Sequence, residues 1–242
     1  MSEPLDLVLI VPVYNEQDAI VSVLEEWIQM LRAQKLAFKV LVINDGSTDG
    51  TQAKVETLQK ADGKELICHL QRNQGHGQSC INGYRLALEM GVPYVFQVDS
   101  DAQCDPVYFP EVWKHRGEKP SIYGRRTQRD DGLGRTIVSW VLRYFLKVLM
   151  GTRLNDTNVP YRLYQTSYLA KEVDYVPKDF HLANIAMALL MERYGFLEVP
   201  IGFRDRKGGE VAVKWWNFAS RAMQLRKNLK GIRSRLKSSD AA

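Results

Sequence analysis

The sequence has few cysteines and no long uncharged apolar run. Its three cysteines, Cys68, Cys80 and Cys104, are far apart and lack the spacing of zinc ligands. We therefore expect free thiols from a reducing, cytosolic compartment, with neither a disulfide framework nor a zinc site. The apolar stretches are shorter than the roughly 20 residues that span a bilayer, so no transmembrane helix is predicted. No basic-then-apolar leader is evident, and no signal peptide is expected.

Two common phosphate-binding loops are also missing. The Gly-Lys-Ser/Thr signature of a P-loop is absent. Gly75-His76-Gly77 follows a predicted strand and opens a predicted helix, as a dinucleotide fingerprint would, but Cys80 stands where the third glycine is required. The pattern therefore argues against a nicotinamide-dependent dehydrogenase. His76 is interpreted as a loop residue, because the four histidines form no cluster in the sequence.

Charge is unevenly distributed along the chain. The net charge is +5, yet the stretch 214–237 contains eight cations and no acid. These cations are Lys214, Arg221, Arg226, Lys227, Lys230, Arg233, Arg235 and Lys237. The remainder of the chain is therefore mildly acidic. A basic tail predicts an anionic partner, such as nucleic acid, a membrane surface or a phosphate-rich ligand.

Hydrophobic patterning predicts an α/β fold in the first half of the chain. A nearly continuous apolar run at residues 5–13 is typical of a strand buried on both faces, and 38–43 is predicted as a second buried strand. A third and a fourth strand are predicted at 66–70 and 94–98. Helical periodicity covers residues 17–36, 48–58 and 77–90. Strands that alternate with helices in this way predict an open, mostly parallel sheet with helices on both faces.

The alternation stops near Gly124, and three helical segments are predicted after it. Residues 135–150 are apolar apart from a polar stripe of Arg135, Ser139, Arg143 and Lys147. Residues 180–194 have the pattern of an ordinary amphipathic helix. The apolar residues of the tail recur at steps of three and four. We expect segment 135–150 and the tail to lie on a membrane interface. The alternative is that they pack on the domain or on a second subunit.

Polar and acidic clusters end three of the predicted strands. They are Tyr14-Asn15-Glu16, Asn44-Asp45-Gly46 and Asp99-Ser100-Asp101. Open α/β sheets bind ligands outside the carboxyl ends of their strands, so these clusters point to one crevice. Asp99 and Asp101, two residues apart, face the same side and suit a divalent metal bound to a diphosphate.

Simpler interpretations of these clusters remain open. The aspartates can instead cap the helix that follows, before Pro106. The stretch Asp45-Gly46-Ser47-Thr48-Asp49 can be a turn in which Ser47 or Thr48 caps the next helix.

Four motifs in order resemble the catalytic domain of glycosyltransferase family 2, which has the GT-A fold. They are Val11-Pro12-Val13-Tyr14-Asn15-Glu16, Asn44 through Thr51, Asn73-Gln74-Gly75, and Val98 through Gln103. The resemblance covers about residues 5–203. Within the family, the sequence resembles the branch of dolichyl-phosphate mannose synthases and polyprenyl-phosphate sugar transferases. That likeness rests on Gly124-Arg125-Arg126, Arg135 with Ser139, and the stretches 156–164 and 198–210.

The resemblance implies a role for each matching residue. Pro12, Tyr14, Glu16, Asp45 and Asp99 would bind the nucleotide sugar. Asp99, Asp101 and Gln103 would bind Mg²⁺ or Mn²⁺. Arg126, Arg135 and Ser139 would bind the acceptor phosphate, with Asp101 and Arg126 in the catalytic set. The family's closing loop often carries Ser-Lys after Gly-Glu, but here Glu210 is followed by Val211-Ala212-Val213-Lys214. Either Lys214 replaces the family's lysine, or the contact that this lysine makes is missing.

The implied reaction is inverting transfer of a sugar from a nucleotide diphosphate sugar to a polyprenyl phosphate, dolichyl or undecaprenyl. A phosphate acceptor is already anionic and needs no general base. The alternative acceptor is a sugar hydroxyl of a growing glycan, with Asp179 as the base; Asp179 can also cap a helix that begins near Phe180. A nucleic-acid-binding module does not account for the acidic loops, and no nucleic acid partner is expected.

The domain organisation follows from these assignments. We expect a GT-A glycosyltransferase domain at 1–210 that includes an amphipathic interface helix at 135–150, and a basic amphipathic C-terminal helix and tail at 211–242. Many members of the branch carry C-terminal membrane helices, and none is predicted in this chain. We expect a cytoplasmic protein, peripheral on the inner face of a membrane, and leave open a membrane-protein partner.

Overall fold

A seven-stranded sheet organises the protein. The structure is a computed structural model, and it describes residues 4–62, 64–127, 151–176, 182–204, 228–229, 231–232 and 234. The strand order is β3-β2-β1-β4-β6-β5-β7. The strands are β1 Leu7–Val13, β2 Phe38–Asn44, β3 Leu66–Leu70, β4 Tyr94–Val98, β5 Ser121–Arg126, β6 Tyr161–Gln165 and β7 Phe196–Ile201. The helices are α1 Ile20–Ala33, α2 Thr51–Asp62, α3 His76–Glu89, α4 Phe109–Lys114, α5 Thr166–Glu172 and α6 Ala183–Glu192.

The first four strands form the parallel half of the sheet. β1 pairs with β2 and β4, and β2 pairs with β3, all in parallel. All seven residues of β1 are buried, as expected for a central strand covered by helices on both faces. The strands predicted at 66–70 and 94–98 are confirmed at those bounds. The predicted α/β fold with a mostly parallel sheet is therefore confirmed.

β6 is the strand that breaks the parallel pattern. It runs antiparallel to both β4 and β5, while β5 and β7 are parallel to each other. The three strands β5–β7 were not predicted, because their sequences mix tyrosine, arginine and glutamate with apolar residues and lack a continuous apolar run. Because β4 and β5 are both antiparallel to β6, β5 and its parallel neighbour β7 run in the same direction as β4. Their carboxyl ends therefore reach the same edge as those of β1, β2 and β4.

Two predicted helices differ from the observed ones. α2 begins at Thr51, not at residue 48, because Ser47, Thr48 and Asp49 contact the β1–α1 loop. The segment predicted as an ordinary amphipathic helix gives α6, in which every residue from Ala183 to Met191 is buried. The prediction of amphipathicity was wrong: α3 and α5 both pack on α6, which has no solvent-facing side over these nine residues.

An aromatic cluster supports the chain just beyond β4. The Trp27 ring of α1 lies 5.5 Å from that of Phe96 and 6.0 Å from that of Phe109, and Phe96 lies 4.9 Å from Tyr161. The Tyr161 hydroxyl donates to the Asp105 carbonyl at 3.2 Å. Buried aromatic rings contribute a large apolar area and specific ring–ring contacts, so the loop that follows β4 rests on a well-packed cluster.

Two tail residues belong to the domain core. Leu229 and Ile232 are 4% and 0% exposed and join the main hydrophobic cluster. At these two positions the tail packs on the domain, which was the alternative to contact with lipid. Segment 135–150 and most of the tail lie outside the described residues. Within the described parts of the chain, no helix is long and apolar enough to cross a bilayer.

Candidate active site

The loops after β1 and β2 are joined by hydrogen bonds between their motif residues. The Asn15 backbone N–H donates to the Ser47 hydroxyl at 3.0 Å, and the Thr48 N–H donates to Asn15 Oδ1 at 2.8 Å. The Glu16 N–H donates to the Thr51 hydroxyl at 3.0 Å. Asn15 has a φ of 52°, a left-handed conformation that asparagine tolerates better than most residues. The suggestion that Ser47 or Thr48 caps α2 was therefore wrong: both hydroxyl residues fix the loop that carries Tyr14 and Glu16.

Asp45 holds a third loop in place. Its side chain is almost completely buried, and its two oxygens accept hydrogen bonds from Gln71 Nε2 at 2.7 Å, the Gln74 N–H at 2.9 Å and the Gly75 N–H at 2.7 Å. Gly46 beside it has a φ of 71°, and a Cβ there would lie 3.0 Å from the Asn73 nitrogen. The β2–α2 loop and the β3–α3 loop therefore pack backbone to backbone, which explains the glycine.

The other predicted nucleotide-sugar residues lie at the end of β1. Pro12 is buried inside β1, opposite Ile43 of β2, while Tyr14 is 47% exposed and Glu16 is partly exposed. An exposed aromatic ring at the carboxyl edge of a parallel sheet offers a stacking surface to a planar ligand.

Asp99, Asp101 and Gln103 form a tight turn directly after β4. Asp101 Oδ1 accepts a hydrogen bond from the Gln103 N–H at 3.2 Å, and Ala102 between them has a φ of 64°. The helical turn that follows is capped by Asp105, whose Oδ1 accepts from the Val107 N–H at 3.0 Å. The capping interpretation of Asp99 and Asp101 was therefore wrong.

The segment after β7 clamps this turn from the other side. The Arg204 N–H donates to the Gln103 carbonyl at 3.0 Å, and Gln103 Nε2 donates to the Arg204 carbonyl at 3.4 Å. The Arg204 guanidinium bridges Asp105, at 2.7 Å, and Glu26 of α1. These bonds to two carboxylates raise the pKa of the Arg204 guanidinium, with the Asp105 hydrogen bond the larger cause. Arg204 belongs to the stretch 198–210 on which the family likeness rests, but the sequence did not indicate these contacts.

His76 contacts the same turn, which the sequence did not indicate. It is the first residue of α3, after Gly75 with a φ of 87°. Its Nε2 lies 3.6 Å from Asp99 Oδ1 and 3.5 Å from Cys80 Sγ. The Cys80 sulfur, followed by the carboxylates of Asp99 and Asp101, raises the pKa of His76. The clue in the sequence was its place between Gly75 and Gly77 at a helix start.

Arg126 reaches the same edge from the end of β5. Its Nε donates to Asp156 Oδ2 at 2.7 Å, and the guanidinium carbon lies 5.2 Å from the centre of the Phe203 ring. The Asp156 side chain is 8% exposed and that of Arg126 is 21% exposed. A buried carboxylate on one side and an aromatic ring on another orient the guanidinium.

The described residues thus bring most of the predicted site together. Pro12, Tyr14, Glu16, Asp45, Asp99, Asp101, Gln103 and Arg126 all lie at the carboxyl edge of the sheet. Arg135, Ser139, Asp179 and Lys214 lie outside the described residues. Within the described ranges, no three His, Cys, Asp or Glu side chains are grouped so that they could hold a metal ion. A metal site here would have to combine two carboxylates with the Gln103 amide and ligand oxygens.

Much of the chain is similar to two enzymes that are named for polyprenyl phosphates. It is 27% identical to the undecaprenyl-phosphate mannosyltransferase of Micrococcus luteus over 91% of this chain and 97% of that protein. It is 28% identical to the dodecaprenyl-phosphate galacturonate synthase of Rhizobium johnstonii over 69% of this chain and 50% of that protein. The resemblance to the polyprenyl-phosphate branch is thereby confirmed.

Solved structures and a family model identify the fold and the family. The glucosyl-3-phosphoglycerate synthase of Mycobacterium tuberculosis, in complex with Mn²⁺ and uridine-diphosphate-glucose, superposes with a TM-score of 0.64 at 17% identity, over 94% of this chain and 79% of that one. Mannosyl-3-phosphoglycerate synthase from Rubrobacter xylanophilus gives a TM-score of 0.65 at 13% identity, over 98% and 76%. These likenesses confirm the GT-A-like fold. The model described as Glycosyl transferase family 2 matches residues 8–174, more than half of the chain. The chain is therefore a glycosyltransferase that belongs to glycosyl transferase family 2.

Proposed function

We propose that this glycosyltransferase moves a sugar from a nucleotide diphosphate sugar to a polyprenyl phosphate, with inversion at the anomeric carbon. The observation that carries the proposal is the pairing of two chemistries at one sheet edge. The Asp99–Gln103 turn offers oxygen ligands for a cation, and Arg126, oriented by Asp156, offers a guanidinium for an anion. The first set suits a departing diphosphate and the second suits an incoming phosphate.

The donor set fits a divalent metal of the Mg²⁺ or Mn²⁺ type. Carboxylate and amide oxygens are the ligands these ions prefer. Gln103 Nε2 donates to the Arg204 carbonyl, so Oε1 is the amide atom left to act as a ligand. A bound ion would neutralise the charge that develops on the leaving diphosphate. The Mn²⁺ in the uridine-diphosphate-glucose complex of the mycobacterial synthase supports the same type of ion.

The nucleoside lies along the ends of β1 and β2 in this proposal. Tyr14 offers its exposed ring, and Pro12 and Glu16 flank it on the same strand end. Asp45 holds the 71–75 loop that forms the facing wall, since both of its oxygens accept hydrogen bonds from that loop. Asp99, one of the proposed metal ligands, lies 3.6 Å from His76 Nε2, and His76 follows this loop in the chain.

In this proposal Arg126 binds the acceptor phosphate, together with Arg135, Ser139 and Lys214. A phosphate monoester is anionic at neutral pH, so attack on the anomeric carbon needs positioning and no proton removal. A guanidinium binds two phosphate oxygens at once, which fixes the direction of attack. The names of the two relatives support a polyprenyl phosphate acceptor.

We further propose that the enzyme works at the surface of a membrane, on its cytoplasmic face. A polyprenyl chain is held in a bilayer, so its phosphate is presented at the interface. The basic stretch 214–237 would be attracted to an anionic surface by on the order of 1 kcal/mol per cation. Co-sedimentation with anionic liposomes should weaken as the salt concentration rises. If the protein does not bind the liposomes even at low salt, the proposed membrane location is wrong.

A thermal-shift panel tests the donor half of the proposal. Nucleoside diphosphates and their sugars would each be added with and without Mn²⁺. The nucleoside diphosphate of one base, and its sugar, should raise the melting temperature of the protein only in the presence of metal. A ligand that binds the folded state stabilises that state. The shift should disappear in Asp101→Ala and remain in Asp174→Ala, whose exposed carboxylate pairs with Arg85. A panel with no metal-dependent shift for any base would contradict the proposed donor site.

A further inference from the structure

A completely buried arginine lies next to the segment that carries Asp156. Arg162, in the middle part of β6, has no exposed surface. Its Nε donates to the Val159 carbonyl at 2.7 Å, and its Nη2 donates to the Thr157 carbonyl at 3.1 Å. Its Nη1 donates to the Asn184 carbonyl at 2.6 Å and to the Tyr164 hydroxyl at 3.1 Å. Every nitrogen of the guanidinium therefore has an acceptor.

None of these acceptors is a carboxylate. Within the described residues Arg162 forms no ion pair, and the Tyr123 ring lies 5.4 Å from its guanidinium carbon. An arginine stays charged in proteins, and burial of a charge without a counter-charge is unfavourable unless every donor is satisfied. A neutral apolar residue would fill this place in the core more easily. The hydrogen bonds to backbone therefore suggest a role for Arg162 in fixing that backbone.

The backbone that Arg162 fixes is next to Asp156, the residue that contacts Arg126. Thr157 and Val159 belong to the segment between Asp156 and β6, and Thr157 is the residue next to Asp156. Asp156 in turn accepts the hydrogen bond from Arg126 Nε. The third carbonyl belongs to Asn184, in the first turn of α6. Arg162 thus ties the segment that follows Asp156 to the start of α6.

We propose that Arg162 is a positioning residue for the acceptor site: it holds the 157–159 backbone so that Asp156 orients Arg126 toward the acceptor phosphate. The inference rests on the proposed function, in which Arg126 contacts that phosphate. Lysine cannot replace arginine in this role. The three nitrogens of the planar arginine guanidinium contact four acceptors that lie in different directions. The single ammonium nitrogen of lysine cannot reach all four.

A double-mutant cycle on the full-length enzyme tests the proposal. Arg162→Lys, Arg126→Ala and the double variant would be compared by KM for the polyprenyl phosphate, KM for the donor, and kcat. Arg162→Lys should raise the acceptor KM about tenfold and leave the donor KM within about twofold, since a small misplacement of a binding group weakens one substrate selectively. In the Arg126→Ala background the same substitution should have no further effect on the acceptor KM.

A control separates positioning from general loss of stability. Leu31 is buried in the last turn of α1, far in sequence from the site residues, and Leu31→Ala should lower the unfolding midpoint without changing the acceptor KM. If Arg162→Lys raises the acceptor KM equally in both backgrounds, or changes both KM values alike, the proposal is wrong. If Arg126→Ala itself leaves the acceptor KM unchanged, the assignment of Arg126 falls, and this inference falls with it.

Hydrogen exchange on the wild-type enzyme keeps the proposal testable if Arg162→Lys does not fold. Local opening of residues 157–159 would break two hydrogen bonds of a buried charge, so these amides should exchange about as slowly as those of β6. Rapid exchange across 157–159, at the rate of the exposed residues 72–73, would overturn the proposal.

Discussion

Arg126 and Asp156 form an ion pair in which Nε donates to Oδ2 at 2.7 Å, at the sheet edge that also carries Asp99 and Asp101. The two partners come from β5 and from the segment before β6, 30 residues apart in sequence. The structure brings them together because β5 and β6 are antiparallel neighbours. A cation aligned by a buried anion keeps one orientation before its ligand arrives.

Replacement of Asp156 by asparagine should therefore damage acceptor binding more than donor binding. Asp156→Asn keeps the shape of the side chain and removes the charge that orients Arg126. We expect the acceptor KM to rise about tenfold, and the free energy of unfolding to fall by about 1–3 kcal/mol, the usual penalty for a weakened buried hydrogen bond. Steady-state kinetics and urea unfolding measure the two effects. Asp174→Asn is the control, and an unchanged acceptor KM in Asp156→Asn would argue against the orienting role.

Loss of the Asp101 carboxylate should remove activity and leave the fold intact. Asp101 lies in a turn after β4, and the hydrogen bond that it accepts from the Gln103 N–H contributes about 1 kcal/mol to stability. We expect the rate of transfer by Asp101→Ala to fall by at least about 10²-fold, as when another stabiliser of transition-state charge is removed. The assay uses EDTA-treated enzyme with metal added back. Near-normal turnover in that assay would rule out the metal role.

Asn15 offers a test of the contact between the first two loops. Asn15→Gly removes the side-chain hydrogen bond to the Thr48 N–H but tolerates the φ of 52°, whereas Asn15→Ala removes the bond and strains the backbone. Asn15→Ala should therefore be less stable than Asn15→Gly by about 1 kcal/mol. Both variants should bind nucleoside diphosphate more weakly, because the loop carrying Tyr14 loses one of the hydrogen bonds that hold it. Urea unfolding and titration calorimetry measure the two effects; equal stability of the variants would contradict the backbone argument.

The sequence predicted the parallel half of the fold well and the other half poorly. β3 and β4 were predicted at their bounds because both are short, mostly apolar stretches bounded by polar loops. β6 was missed because its sequence, Tyr-Arg-Leu-Tyr-Gln, is half polar. Its arginine is buried, and the strand tolerates the charge because three backbone carbonyls and the Tyr164 hydroxyl accept hydrogen bonds from Arg162.

The sequence predicted which residues lie at this edge of the sheet, and not the contacts between them. Ordered motifs pointed to Asp99, Asp101, Gln103 and Arg126, because each follows or ends a strand; their roles stay predictions. The sequence could not indicate that His76 lies 3.6 Å from Asp99, or that Arg204 clamps Gln103. These contacts join residues far apart in the chain, and they depend on how β4 and β7 are placed in the sheet.

The acceptor class is the central claim, and the measurement that tests it most directly is turnover of Arg126→Ala, Arg135→Ala and Asp179→Asn with one donor. Each variant would be assayed against a polyprenyl phosphate and against a soluble glycan. A phosphate acceptor needs no base, so Asp179→Asn should retain most of the wild-type rate with polyprenyl phosphate. Both arginine variants should lose most of it, because each lacks a phosphate partner. An inactive Asp179→Asn beside an active Arg135→Ala would contradict the account, since loss of a general base typically lowers a rate by about 10²–10⁴-fold.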